Sequence, residues 1–262
     1  MTEQLWSPAK VADVLIRAED SGVAQTSILA EWDGLDLAAA YEAQDIALQM
    51  RILRGERVTG VKLGVTSKAK QRQVGVDSPS TAWLTDAMIL PIGEPVPREK
   101  MIHARAEPEI AFVMGRRLEG PGVSAATALA AVDHVVGAIE IIDSRFSGYK
   151  FSMMDAVADN NSSGRYVTGP ISVRPDSLDL GLEACLLEVD GEIVDSATGA
   201  AVHGHPAEAL AFAANTLAER GLAIEPGWVI LTGGMTDAVP IRPGARIAAH
   251  FTHLGTVNVS GG

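Results

Sequence analysis

Two glutamates spaced two residues apart, Glu107 and Glu109, open an apolar run in the segment HARAEPEIAFVMG. On a β-strand side chains alternate between faces, so Glu107, Glu109, Ala111 and Val113 share one face. Ile110, Phe112 and Met114 share the other. The two carboxylates then stand roughly 7 Å apart at the backbone. Like charges beside a core are costly unless a cation separates them. Mg²⁺ or Mn²⁺ suits that task, because hard divalent ions prefer oxygen ligands. The competing reading is an edge strand with two solvated glutamates. A third acid, Glu140, interrupts the apolar run GAIEII. It either completes a three-carboxylate metal site with Glu107 and Glu109 or pairs with Arg145 or Arg105.

Lys62 lies in VTGVKLGVT, a charge inside an apolar run flanked by Gly60 and Gly64. Glycines in a strand permit close backbone approach, often to a ligand. A lysine there can pair with a substrate carboxylate or stabilise an enolate. It can equally snorkel from an edge strand. Residues 155–169, DAVADNNSSGRYVTG, form a polar stretch that offers hydroxyl and amide donors or serves as an ordinary turn. The glycine-rich stretch 232–240 lacks a phosphate-loop lysine and the dinucleotide fingerprint, so it is not read as a nucleotide site. His203 and His205 could serve as ligands, but they precede Pro206 and fit a helix entry better. Cys185 sits in an apolar strand as packing.

These residues need elements to hold them. Ser7-Pro8 predicts an N-cap and first helical turn. A second helix over 36–54 stops at Gly55 and carries the stripe Leu37, Tyr41, Leu48 and Ile52. Residues 58–65 read as a strand, and Ser67 as the cap of a short helix over 67–73. Further strands are expected at 110–114, 135–142, 184–189, 229–232, 246–251 and 256–259, with a hairpin at Asp190-Gly191. Helices are expected at 124–132 and 206–220. Strands and helices do not alternate regularly, which disfavours a TIM barrel or Rossmann sheet. The expected class is α+β, with a helical N-terminal region (1–75) packed on a mixed, twisted β-rich catalytic body (76–262) in one compact unit.

The chain has 262 residues, 21 basic and 33 acidic, for a formal net charge of −12. That balance excludes the basic stripe a nucleic-acid binder needs and disfavours docking on anionic membranes. One cysteine excludes an internal disulfide framework. No run reaches the roughly 18 apolar residues of a membrane helix. The N-terminus lacks a signal pattern, so a cytoplasmic location is expected.

In order along the chain, KLGVTSKAKQRQVGVDSP, AEPEIAFVMG, IEIIDSRF, VADNNSSGRYVTG, GHP and LTGG resemble the 2-keto-4-pentenoate hydratase and 4-oxalocrotonate decarboxylase family. That family belongs to the fumarylacetoacetate-hydrolase-like superfamily, and the resemblance spans nearly the whole chain. It implies a β-roll with flanking helices. It implies that Glu107, Glu109 and Glu140 bind Mg²⁺ or Mn²⁺ and that Lys62 is the active-site lysine. The backbone of Leu63 and Gly64 would line the substrate, and Ser162 would bind it near the metal. Ser80 stands where hydratases tend to carry an acid, and Gly233-Gly234-Met235-Thr236 replaces their G-A-x-G. IDSRFSGYKF also looks more like the decarboxylases. The resemblance therefore implies decarboxylation of the dicarboxylate 2-oxohex-3-enedioate to 2-hydroxypenta-2,4-dienoate, with hydration of that dienoate as the alternative. It also implies a homo-oligomer and a possible complex with the sister hydratase.

Overall fold

Ser7 caps the first helix, α1 (Pro8–Ser21), by accepting from Lys10 N, and Gly22 ends it at φ 67°. The structure, a computed structural model, describes residues 6–67, 71–72 and 78–262. Asp36 caps α2 (Leu37–Leu53) in the same way, and Gly55 follows at φ 98°. The buried face of α2 differs from the expected stripe. Leu37 and Ile52 are exposed, whereas Ala40, Ala43, Gln44, Ala47, Leu48 and Arg51 are buried. Alanines allow close approach of the packed neighbours, and the inward polar groups have partners. Gln44 Nε2 donates to Thr81 O and Val157 O, and Arg51 pairs with Glu19.

The strands are β1 (Val58–Gly64), β2 (Ser80–Thr85), β3 (Arg105–Met114), β4 (Val132–Ile142), β5 (Ser163–Val173), β6 (Ala184–Val189), β7 (Glu192–Thr198), β8 (Val229–Leu231), β9 (Val239–Pro240), β10 (Arg246–Phe251) and β11 (Gly255–Ser260). Among the described residues they form two mixed or antiparallel sheets. The larger runs β2-β1-β8-β3-β4-β5, with β9 added beside β3; the smaller runs β11-β10-β6-β7. Only β1 and β8 run parallel. The fold is α+β, as expected. Asp190 (φ 52°) and Gly191 (φ 91°) make the two-residue turn between β6 and β7, the positive-φ pair this hairpin requires.

Helix α3 (Ala125–Leu129) is shorter than expected, since Val132 already begins β4. A helix α4 (Met153–Ala158) occupies part of the polar stretch read as a loop, and α5 (Pro206–Glu219) follows the N-cap His205. The short helix expected at 67–73 lies largely outside the described residues.

The large sheet has two unlike faces. One carries Val61, Leu63, Ile110, Phe112, Met114, Ile139 and Ile141 into the main core with α5 and the small sheet, where Cys185 is also packed. The opposite face carries a smaller apolar patch of Ala111, Val136, Ala138, Tyr166 and Leu231. By strand parity, Lys62, Glu107, Glu109 and Glu140 project from that second face.

Candidate metal centre and active site

Adjacent antiparallel strands bring the acids together. Glu107 on β3 is paired with Glu140 on β4, and Glu109 with Ala138. One carboxylate oxygen from each of Glu107, Glu109 and Glu140 lies within 4.8 Å of the others. Glu109 and Glu140 are 0% and 1% exposed, and Glu107 is 9% exposed, which removes the solvated-edge reading. Burial, together with the neighbouring carboxylates, pushes Glu109 well above the ordinary glutamate range. Burial raises Glu140 too, and the Lys62 charge opposes that rise.

Lys62 reaches this group from β1. Its Nζ lies 3.1 Å from Glu140 Oε1 and donates to Asn161 O at 2.8 Å. The lysine is 3% exposed and does not snorkel. Glu140 therefore pairs with Lys62; neither Arg145 nor Arg105 holds it. Among the described residues, Glu140 Oε2 and Glu109 Oε1 are buried without a hydrogen-bond partner, and Glu140 Oε1 meets only the Lys62 ammonium. Buried carboxylate oxygens in that state are costly. With Glu107 beside them, three carboxylates whose oxygens converge within 4.8 Å fit a hard divalent cation.

The loop after β8, set aside in the sequence, closes the group. Gly233 N donates to Glu109 Oε2 at 2.7 Å. A Cβ at Gly234 would come 2.6 Å from Glu107 Oε2, so the backbone passes directly against that carboxylate. The sequence signal was the paired glycine following an apolar strand.

The turn before β5 positions the lysine. Asn160, Asn161 and Ser162 all have positive φ, at 50°, 49° and 58°. Successive left-handed residues are strained and persist where the surroundings over-determine them. Here the side chain of Asn160 pairs with Trp83 N and O like a neighbouring strand. Ser80 Oγ donates to Asn161 Oδ1 at 3.0 Å. Buried Arg145 donates to Asp143 O, Ser163 O and Asp159, tying the two sides of the turn together. Ser162 is buried, and its hydroxyl lies 3.4 Å from Asp159 Oδ2. Leu63 is buried and paired with Thr81; Gly64 is paired with Ser80 and faces the Asn161 side chain. His205 caps α5 by accepting from Ala207 N at 3.1 Å, the helix entry expected of it.

The family model for the fumarylacetoacetate (FAA) hydrolase C-terminal region matches residues 57–260. The chain belongs to the fumarylacetoacetate hydrolase family. Within it, the chain is 41% identical over 228 residues to 4-oxalocrotonate decarboxylase of Pseudomonas sp. (strain CF600), covering 87% of this chain and 86% of that one. It is 40% identical over 222 residues to 2-hydroxyhexa-2,4-dienoate hydratase of Comamonas testosteroni, covering 84% of each. The solved structure of 4-oxalocrotonate decarboxylase from Pseudomonas putida G7, complexed with magnesium and adipate, superposes with a TM-score of 0.93 at 35% identity. The match covers 98% of this chain and 99% of that one.

Proposed function

We propose that this protein is a divalent-metal-dependent carboxy-lyase of aromatic meta-cleavage catabolism, converting 2-oxohex-3-enedioate to 2-hydroxypenta-2,4-dienoate and CO₂. One observation carries the reading: three carboxylates and a lysine ammonium buried together on one sheet face, in a chain with decarboxylase relatives over most of its length.

Glu107, Glu109 and Glu140 would hold Mg²⁺ or Mn²⁺, which when bound supplies Lewis-acid polarisation of the 2-oxo acid's oxygens. Lys62, held by Asn161 O, stabilises the negative charge that develops on the C2 oxygen. The C5–C6 bond breaks and C6 leaves as neutral CO₂. Its electron pair forms a C4–C5 double bond, the C3–C4 pair shifts to C2–C3, and the C2 oxygen takes one proton to give the enol. The backbone of Leu63 and Gly64 lines the substrate, and Ser162 binds it near the metal. Ser80 is buried and donates to Asn161. It offers no carboxylate for water activation, which favours decarboxylation over hydration.

The same reading makes the enzyme a cytoplasmic homo-oligomer able to associate with the hydratase that consumes its product. The exposed apolar residues Leu186, Ile193 and Val194 on the β6–β7 hairpin support self-association. It also treats residues 1–75 as a helical region and 76–262 as the catalytic body of one unit, with β1 reaching from the first into the large sheet.

The test offers purified protein 2-oxohex-3-enedioate with and without Mg²⁺. Metal-dependent CO₂ release is expected. Absence of CO₂ release, with hydration of 2-hydroxypenta-2,4-dienoate instead, would make the protein a hydratase.

A further inference from the structure

Among the described residues, charge balance leaves the proposed site without a cation for a second substrate carboxylate. A divalent ion and Lys62 together neutralise Glu107, Glu109 and Glu140, so nothing in that group remains to attract the second carboxylate of a dianionic substrate. The next side chain on the same face of β3 is Arg105. It stands two residues before Glu107 in unbroken register with β4, about 7 Å back along the strand.

Arg105 is unusual for an arginine in a chain with 33 acids. It is half-buried and forms no ion pair or side-chain hydrogen bond among the described residues. Its guanidinium carbon lies 4.2 Å above the Tyr149 ring. The nearby Asp143 carboxylate is committed elsewhere, accepting from Ile102 N at 2.8 Å and His103 N at 2.7 Å. Tyr149 is held in turn: it has φ 57°, and its hydroxyl lies 3.1 Å from Ile142 O and 3.3 Å from His103 O. Its ring also packs against His103, with centroids 4.7 Å apart and the planes tilted by 40°. His103 Nε2 is buried and has no hydrogen-bond partner. A guanidinium stacked on an aromatic ring keeps its planar fork of donors free for a carboxylate, and the unpartnered imidazole nitrogen is a second polar atom close by.

We propose that Arg105, backed by Tyr149 and His103, is the subsite for the carboxylate of the substrate that does not lie at the metal. It selects dicarboxylic over monocarboxylic 2-oxo acids. This rests on the metal-site reading above and adds the substrate's distal end to it. Arg105 acts on binding, so its loss should raise KM for the dicarboxylate by tenfold or more and change kcat by less than threefold.

The experiment is a calorimetric titration of the Mg²⁺-loaded protein with two probes, adipate and 2-oxopentanoate. Because it needs no turnover, it stands even if CO₂ release is not found, and the two readings can fail separately. In Arg105→Met, adipate binding should weaken at least tenfold while 2-oxopentanoate binding stays within twofold. That unchanged monocarboxylate affinity also shows that the variant is folded. Arg105→Lys should recover part of the adipate affinity. Equal losses for both probes, no loss for either, or no adipate binding by the unsubstituted protein would overturn the proposal.

Discussion

At the scale of residues, the carboxylates of the proposed metal centre also burden the metal-free protein. Burial raises Glu109 and Glu140 above the ordinary glutamate value of 4.5. They therefore bind protons more tightly folded than unfolded. The stability linked to them is full below the unfolded-state value and is lost as pH climbs through the folded-state values. The melting temperature of metal-free protein should fall as pH rises above the ordinary glutamate value of 4.5, and saturating Mg²⁺ should remove most of that fall. A pH-independent melting temperature in chelator would show that these acids are not buried as charges. Glu109→Gln should lower metal affinity by more than about a hundredfold, beyond the loss seen for outer-shell partners, while leaving the fold intact. Calorimetric titration with Mn²⁺ reads this directly, and an unchanged titration would refute the ligand role. Glu140 and Lys62 stood out because each breaks an apolar run, and Glu107 and Glu109 because they open one at strand spacing. The partner of Glu140 was not: choosing among Lys62, Arg105 and Arg145 depends on which strands lie side by side, and no local pattern encodes that.

At the scale of elements, the turn of Asn160, Asn161 and Ser162 transmits the fold to Lys62. Its left-handed residues are held by Arg145, which is 3% exposed and paired with the fully buried Asp159. Arg145→Leu leaves Asp159 without its cation and should destabilise the protein by about 3–5 kcal/mol, measured by denaturant unfolding. A change under 1 kcal/mol would mean the pair is dispensable. Sequence patterning found the long strands and the capped helices, where period and punctuation agree. It missed β2 and read α4, the turn and the start of β5 as one polar loop. Ser, Asn and Asp there serve side-chain bonds to distant backbone, as Asn160 does with Trp83, so their polarity carried no local signal. The stripe on α2 failed for a related reason. Gln44 and Arg51 turn inward because distant groups satisfy them, and helical periodicity counts only hydrocarbon.

At the scale of the whole molecule, the small sheet ends in β7, nearly all of it exposed. An open edge with apolar side chains is a template for pairing with another chain. The unsubstituted protein should scatter light as a multiple of 27.5 kDa. Leu186→Glu combined with Ile193→Glu should shift it towards a single chain. A mass unmoved by the double substitution would place any interface elsewhere. The order of the large sheet has one more consequence, for how the chain is made. The three-residue strand β8 lies between β1 and β3, parallel to one and antiparallel to the other. Lys62 is therefore carried on a strand whose backbone ladder to the glutamate-bearing strands runs through Val229–Leu231, with the Asn160 turn against Trp83 as a second tie. Such non-local pairing is slow to form. During synthesis, the glutamate strands β3 and β4 can pair early, but the ladder that joins the lysine strand to them is complete only once residues 229–231 have been made.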